Sequence, residues 1–231
     1  MADATKWPGH ASHADGLIFG QAPFQVLLVG AKHSGKSEVI KYTCRAYAGT
    51  FACVTVFCPS ALSGFYNFLP EKYVLDDYDP EVMRGIIARQ EAYKASRKTV
   101  HQLVIFDDCI GSEAMAWEKR TSELSRMWIS QRHWNISIIV VAQSLKRIPR
   151  VLRDNVDFAC IFRVMREAYD GLFETFAPPN MTKQEFMAYV AENTRDYRVI
   201  LFQARVVNPE DHLRVFKLPP SELARKFSLL Y

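Results

Sequence analysis

The residues from Gly30 to Ser37, GAKHSGKS, form the stretch whose types and spacing point most directly to chemistry. They match the phosphate-binding loop pattern of Gly, four residues, Gly-Lys and then Ser or Thr, with an apolar run before it and a helical pattern after it. Gly30 and Gly35 are expected to give the loop the unusual dihedrals that turn its N–H groups onto an anion. A Gly-rich surface turn is the alternative interpretation.

This loop predicts a site for a nucleoside triphosphate. Lys36 would contact the β- and γ-phosphates, and the Ser37 hydroxyl would bind Mg²⁺. The amino end of the helix that follows would add a positive partial charge. The predicted ligands are ATP and Mg²⁺, and the predicted nucleotide-binding residues are Gly30, Lys32, His33, Ser34, Gly35, Lys36 and Ser37.

Two acidic residues, Asp107 and Asp108, end the apolar run that begins at Leu103. Ligands in open α/β sheets bind outside the carboxyl ends of the strands, so these carboxylates are expected beside the phosphate loop. Asp107 would hold Mg²⁺ through water together with Ser37, and Asp108 would act as the general base on the attacking water. An acidic turn that merely ends a strand is the alternative.

Gln143 follows the apolar run Ile136–Ala142, so it is expected at the same edge of the sheet. A side-chain amide can donate to a γ-phosphate and accept from the attacking water, which predicts a sensor role. A polar strand end is the alternative here too.

Basic residues are concentrated between positions 124 and 153, where thirty residues hold six Lys or Arg and no acid. Three interpretations stay open: a solvated face, contact with nucleic-acid phosphates, or an arginine inserted into the nucleotide site of a neighbouring subunit. Arg132 is the predicted trans-acting arginine because it immediately precedes the sensor strand. The adjacent His133 and Trp134 are expected to be packing residues rather than ligands.

The spacing of apolar residues predicts an α/β fold with a mainly parallel central sheet, because continuous apolar strands alternate with helical patterns. After Pro178 the pattern changes to a helix with a capping box at Thr182 and Glu185, and then to an antiparallel hairpin. Ser221 is predicted to cap a last short helix. The predicted strands are Gln25–Val29, Phe51–Cys58, Val100–Phe106, Ile136–Ala142, Phe158–Val164, Arg198–Val207 and Leu213–Leu218, and the predicted helices include Ser37–Tyr47, Pro80–Arg97 and Glu113–Ser130.

Length and composition suit one domain with a large core. The chain has 231 residues, 49% of them hydrophobic and 23% charged, with a net charge of +4. Residues 1–18 are expected to be a flexible arm and 19–231 a single domain, with a core of about 19–165 and an extension of about 166–231. No apolar run suggests a membrane span or a secretion signal. The five cysteines lack metal-ligand spacing, which predicts reduced, buried thiols in an intracellular protein.

Together these motifs resemble the FtsK–HerA superfamily of P-loop ATPases, and most of all the poxvirus-type genome-packaging ATPases of large double-stranded DNA viruses. The resemblance rests on GAKHSGKS at 30–37, VIFDD at 104–108, RHWNISIIVVAQS at 132–144 and the Asn-Val-Asp at 155–157. It implies a three-layer RecA/ASCE-like P-loop fold, and it implies the roles given above for Asp107, Asp108, Gln143 and Arg132. Much of the superfamily has Asp-Glu where this chain has Asp107-Asp108, so the shorter Asp108 side chain has less reach. The sequence contains no zinc-finger or nuclease pattern, so a DNA-cutting activity is not expected of it.

The resemblance also implies a set of partners. These are double-stranded DNA, further copies of the chain in a pentameric or hexameric ring, and capsid or portal proteins at a capsid vertex. Virion assembly sites in the host cytoplasm or nucleus are the expected location, with association with the virion as a further expectation. The basic segments 84–98 and 146–153 are both candidates for contact with DNA.

Three functions compete on the sequence. The first is an oligomeric ATPase that translocates double-stranded DNA into a capsid. The second is a small P-loop kinase. The carboxylate pair and the sensor amide disfavour a kinase, because these groups serve to activate water. The third is an ATP-gated DNA clamp. A GTPase is disfavoured because the chain has no Asn-Lys-x-Asp stretch.

Overall fold

A computed structural model describes residues 18–60, 64–109, 123–207 and 209–217. Eight strands and six α-helices are found in this part of the chain. The strands are β1 (Gln25–Val29), β2 (Phe51–Phe57), β3 (Val74–Leu75), β4 (His101–Asp107), β5 (Ile136–Ala142), β6 (Phe158–Ile161), β7 (Arg198–Gln203) and β8 (Leu213–Lys217). The helices are α1 (Lys36–Ala46), α2 (Pro80–Ala95), α3 (Glu123–Ser130), α4 (Arg150–Arg153), α5 (Tyr169–Phe176) and α6 (Lys183–Asn193).

The strands form one sheet in the order β3-β2-β4-β5-β1-β6-β7-β8. The pairs from β3 to β6 are parallel, whereas β6–β7 and β7–β8 are antiparallel. The mainly parallel sheet and the antiparallel C-terminal hairpin predicted from the sequence are therefore confirmed. Strand β5 lies between the strand before the phosphate loop and the strand that ends in Asp107.

The register sets the level of the functional residues. Val29 of β1 pairs with Ala142 of β5, and Asp107 of β4 pairs with Val141 of the same strand. The carboxyl ends of β1, β4 and β5 therefore lie almost at the same level along the strand direction. This edge is called the carboxyl edge below, and the opposite one the amino edge.

Both faces of the sheet are buried, which explains why its strands are continuous apolar runs. Along β1, Leu27 and Val29 pack into one core cluster, whereas Val26 and Leu28 pack into the other. Trp128 of α3 lies in the first cluster and Ile40 of α1 in the second. Because successive strand side chains point to opposite faces, each strand serves both cores and the fold has three layers.

Several helix ends follow the predicted signals. Asp79 caps α2 by accepting from the Glu81 N–H at 2.8 Å, and a proline follows it at the first helical position. The predicted capping box of α6 is present, with both the Thr182 and Glu185 side chains bonded to backbone N–H groups. These local signals were readable because capping depends on residues three positions apart or fewer.

Other elements differ from the prediction or lie beyond it. The segment expected to be a loop before α2 contains a 3₁₀ turn, Glu71–Tyr73, and the short strand β3. Helix α5 was not predicted. The helix expected to start at Glu113 is described only from Glu123. Residues 1–17 of the predicted N-terminal arm and the helix at Ser221 lie outside the described residues, whereas Ile18, the last residue assigned to the arm, is buried in the core.

All five cysteines are free and buried, as predicted from their scatter along the chain. Burial raises the pKa of the Cys44 thiol to about 12. Within the described ranges, no helix combines the length and the apolar character that crossing a lipid bilayer requires.

Candidate functional site

The phosphate loop leaves the end of β1 and is fixed by the strands on either side. The Gly30 N–H donates to the Ala142 carbonyl at 3.1 Å, and the Ala31 N–H donates to the Arg163 carbonyl at 2.8 Å. Gly35 has a φ of 101°, which favours glycine, and it directly precedes α1. The loop therefore ends at a helix amino terminus, where backbone N–H groups can meet an anion.

Gly30 is required for a different reason from the one predicted. The prediction assigned it an unusual dihedral, but its φ is not positive. A Cβ at this position would lie 2.5 Å from the Phe162 Cβ and 2.8 Å from the Ser34 Oγ. The residue must be glycine because the loop runs against β6 with no space for a side chain.

The interior of the loop contains an unpaired polar atom. The Ser34 side chain is buried, and its hydroxyl has no hydrogen-bond partner. Lys32 and His33 are exposed on the rim, and His33 adopts a φ of 58°. A buried hydroxyl without a partner costs free energy unless a ligand satisfies it. Ser34 therefore fits a loop that is shaped around a polar ligand.

Lys36 places its ammonium group over the loop. Its Nζ donates to the carbonyls of Gly30 and Ala31, both at 2.7 Å. Burial lowers the pKa of this ammonium, while the nearby carboxylates of Asp107 and Asp108 oppose that shift. The loop and the acidic pair, which are about seventy residues apart in sequence, are thus in electrostatic contact.

Asp107 is the more buried of the two acids. Its Oδ2 accepts a hydrogen bond from the Tyr66 hydroxyl at 2.7 Å and lies 3.8 Å from the Cys58 Sγ. Burial raises the pKa of the Asp107 carboxyl, and the Asp108 charge raises it further. The Tyr66 hydrogen bond and the Lys36 charge act in the opposite direction.

Asp108 points to a different partner, Gln143. The Gln143 amide nitrogen donates to both carboxylate oxygens of Asp108, at 2.9 and 3.2 Å. Asp108 has a φ of 55°, in the left-handed region, and its side chain has a different hydrogen-bond partner from that of Asp107. The predicted base and the predicted sensor are therefore in direct contact, which neither motif alone indicated.

The donor set at the carboxyl edge fits Mg²⁺. Asp107 offers a carboxylate at the end of β4, and Ser37 offers a hydroxyl next to Lys36. Mg²⁺ is commonly bound by one or two such oxygen ligands together with phosphates and water. Among the described residues no cluster of three His, Cys, Asp or Glu could hold a metal by itself. The roles of Ser37 and Asp107 as ligands remain predictions.

Arg132 lies at the amino edge, away from its own phosphate loop. It belongs to a 3₁₀ turn, Gln131–Trp134, which directly precedes β5, and its guanidinium pairs with Asp157. Strand β5 has seven residues, so at about 3.3 Å per residue roughly 20 Å separates Arg132 from Gln143. Arg132 therefore does not reach the nucleotide site of its own chain, and its trans-acting role remains a prediction.

A basic cleft of about 370 Å³ surrounds Arg132 at the amino edge. Lys94, Arg97 and Lys98, from the end of α2 and the residues after it, line this cleft. His133 also lines the cleft and is exposed, so the prediction that it is a packing residue is wrong, whereas Trp134 does pack against the core. No pattern in the sequence indicated that the end of the basic segment 84–98 lies beside Arg132.

Residues 17–215 match the family model described as the Poxvirus A32 protein. The chain belongs to this family. The membership confirms the resemblance to genome-packaging ATPases that the motifs had indicated, and it covers the phosphate loop, the acidic pair and the sensor strand. It extends through the C-terminal hairpin, beyond the region that the motifs alone covered.

Curated proteins of two viruses are similar to this chain. Protein 088R of Invertebrate iridescent virus 3 is 26% identical over 192 residues, which are 78% of this chain and 69% of that protein. Protein 015R of Frog virus 3 is 28% identical over 178 residues, 74% of this chain but only 54% of that protein. The chain therefore spans between about half and two thirds of the length of these relatives.

Solved structures share the fold at low sequence identity. The genome-packaging NTPase B204 of Sulfolobus turreted icosahedral virus 2, in complex with ATPγS, aligns with a TM-score of 0.58 and 16% identity over 84% of this chain and 96% of that one. The cytoplasmic domain of the type VII secretion ATPase EccC from Thermomonospora curvata aligns with a TM-score of 0.56 and 16% identity, over 84% of this chain and 25% of that one. These similarities confirm the P-loop ATPase fold.

Tyr66 was missed by the sequence analysis, and its contact with Asp107 generates a prediction. In Tyr66→Phe the buried carboxylate loses a donor, and hydrogen bonds to charged groups are worth about 1.5–3 kcal/mol. The pKa of Asp107, which burial already raises, should therefore rise further. As the pH falls, the carboxyl should take up its proton earlier than in the wild type.

Carboxyl ¹³C NMR titration of the protein without Mg²⁺ measures this pKa directly. Tyr169→Phe removes a hydroxyl from α5 and serves as the matched control, with no expected change at Asp107. An unchanged Asp107 titration in Tyr66→Phe would contradict the assigned hydrogen bond.

Proposed function

We propose that this chain is the ATP-hydrolysing motor that translocates double-stranded viral DNA into a preformed capsid, working as a homo-oligomeric ring. The observation that carries the proposal is the contact between Asp108 and Gln143 beside Lys36. The proposed base, the proposed sensor and the proposed phosphate-binding cation lie together at one edge of the sheet, and the chain belongs to a family of packaging ATPases.

The hydrolytic step uses the chain's own residues as follows. Lys36 binds the β- and γ-phosphates and offsets negative charge on the phosphoryl group. Gln143 moves from Asp108 to the γ-phosphate and orients the attacking water. Asp108 accepts a proton from that water. The water oxygen bonds to the γ-phosphorus, and the bond from the γ-phosphorus to the ADP oxygen breaks. Ser37 and Asp107 would hold Mg²⁺, which would supply positive charge to offset that of the phosphates.

A kinase remains the less favoured enzyme. A kinase must bring a second substrate hydroxyl to the γ-phosphate, whereas here the carboxylate at that position is already engaged by an amide that orients water. An ATP-gated DNA clamp would use the same residues with slow hydrolysis, so the rate of turnover separates it from a motor.

The proposed ring places the nucleotide between two subunits. The carboxyl edge binds the triphosphate, and the basic cleft with Arg132 lies at the opposite edge of the same sheet. Two different surfaces on opposite sides of one chain make a head-to-tail interface, which closes into a ring when the rotation per subunit divides a full turn. Arg132 then reaches the triphosphate held by its neighbour, with Lys94, Arg97 and Lys98 around it.

If the cleft faces the neighbouring nucleotide, the segment 84–98 that lines it is not available to DNA. The segment 146–153 is then the remaining candidate for contact with DNA. Lys146 is exposed and lies three residues after Gln143. A change in the sensor on loss of the γ-phosphate would therefore act directly on the residue next to the DNA backbone. Arg150, in the same segment, pairs with Asp154 at 3.1 Å, which makes Lys146 the better candidate for a phosphate contact.

Duplex DNA should stimulate steady-state ATP turnover, and this measurement tests the proposed function. Lys146→Ala should weaken DNA binding and reduce the salt dependence of binding by about one unit of slope, since one phosphate contact is lost. Lys183→Ala, which removes a lysine paired with Asp170 elsewhere on the surface, is the matched control. Turnover that ignores DNA, in an assembled protein, would contradict the motor.

Asp108→Asn should keep nucleotide affinity and lose hydrolysis. The amide preserves the size of the side chain but cannot accept a proton, so turnover should fall by about 10²–10⁴-fold, the usual contribution of a general base. Fluorescent-nucleotide binding and phosphate release measure the two properties separately. Turnover close to the wild-type rate would remove Asp108 from the role of base.

Mixing two inactive variants tests the shared site. Arg132→Ala retains its own phosphate loop, and Lys36→Ala retains its arginine, so a mixed ring contains interfaces with both groups intact. With random assembly at equal amounts about a quarter of the interfaces are complete, and turnover should recover accordingly. Arg214→Ala, on the C-terminal hairpin, is the arginine control and should stay active alone. Failure to recover, with normal assembly, moves the trans-acting role to Arg147 or Arg150.

A further inference from the structure

The turn before β7 has a conformation that its side chains disfavour. Asp196 and Tyr197 both have positive φ angles, of 53° and 60°. A left-handed backbone is uncommon for any residue other than glycine, and it is strained for a bulky aromatic one. Tyr197 therefore adopts this conformation at a cost in folding free energy.

The turn is nevertheless firmly held. The Arg198 N–H donates to the Arg195 carbonyl at 2.9 Å, and the Arg198 guanidinium donates to the Glu192 carbonyl at 2.7 Å. The same guanidinium lies 3.6 Å from the Glu192 carboxylate. These contacts fix the end of α6 to the start of β7, so the backbone position of Tyr197 between them is set.

The turn lies beside the phosphate loop because β7 runs antiparallel to β6. Ile200 pairs with Ile161 at the end of β6, so the residues before Ile200 lie at the carboxyl edge. A Cβ placed on Gly35 would lie 3.8 Å from the Tyr197 Cδ1. The ring is thus next to the start of α1 while 68% of the residue stays exposed.

A second exposed apolar side chain occupies the same edge. Met165 is 70% exposed and follows β6, four residues after Ile161. The chain between them is tied to the phosphate loop through the Arg163 carbonyl, which accepts from the Ala31 N–H. Of the four large hydrophobic residues that are most exposed in the described part of the chain, Met165 and Tyr197 lie at this edge.

We propose that the Tyr197 ring is the platform on which the base of the bound nucleotide stacks, with Met165 at its margin. The inference rests on the proposed nucleotide site and adds the part of it that the phosphate loop does not provide. A purine has flat, apolar faces, so an exposed aromatic ring next to the phosphate loop can bind it by stacking, without hydrogen bonds to the edges of the base. The strained turn would serve to hold Tyr197 beside the phosphate loop.

Tyr197→Gly tests the platform, because stability and binding should change in opposite directions. Glycine adopts the left-handed backbone without strain, so the melting temperature should rise by a few degrees. Loss of the stacking surface should weaken ATP binding by about tenfold, within the range measured for base–aromatic stacking. Affinity for inorganic tripolyphosphate, which has no base, should stay the same. Titration calorimetry and thermal unfolding measure these quantities.

Two further variants serve as controls. Tyr197→Phe keeps the ring and should bind ATP nearly as well as the wild type. Ile129→Ala removes a comparably exposed apolar side chain from α3, and its affinity for ATP should not change.

Each outcome decides a different point. If Tyr197→Gly lowers the melting temperature, or weakens ATP and tripolyphosphate equally, Tyr197 supports the loop rather than the base. If the wild type binds tripolyphosphate as tightly as ATP, the base contributes nothing to binding. The proposed stacking is then wrong, while the proposed phosphate site is supported. If the wild type binds neither, the proposed function itself is wrong.

Discussion

The parallel register of β1, β5 and β4 is the constraint on which the rest of the site depends. It brings the end of the loop strand, the sensor strand and the acidic strand to one level, so that Gly30, Gln143 and Asp107 become neighbours. A shift of one residue in β5 would turn its side chains to the opposite faces of the sheet and withdraw Gln143 from Asp108. Fully buried apolar strands specify their register strongly, since both faces must be packed.

The polar groups at this edge are balanced against one another in a poorly solvated place. Burial alone would favour a neutral Lys36 and a neutral Asp107, and each group partly restores the charge of the other. The Tyr66 hydroxyl adds a hydrogen bond to the carboxylate. Such an arrangement keeps a cation and an anion available for ligands while limiting the cost of keeping them out of water.

The parts of the site that the sequence predicted are those encoded locally. The phosphate loop is a run of eight residues, and Asp107, Asp108 and Gln143 each follow an apolar run that ends at the sheet edge. Tyr66 and Tyr197 were not predictable from the sequence. They lie 41 and 162 positions from Asp107 and Gly35, the residues that they contact or approach, and no sequence motif links residues so far apart. Helix α5 was missed because eight residues that include Gly171 and three aromatic side chains give a weak helical pattern.

Strand β5 has a consequence for how successive sites in the proposed ring would communicate. Its seven residues are buried throughout and bonded to strands on both sides, so it moves as one stiff body. In the proposed ring, Gln143 at one end would face the nucleotide of its own subunit, and Arg132, just before the other end, would face that of the next. A small displacement produced by phosphate loss at the first site would appear at the second as an altered arginine position. Sequential ATP hydrolysis around the ring would then require no structural coupling between sites other than a single strand of the central sheet.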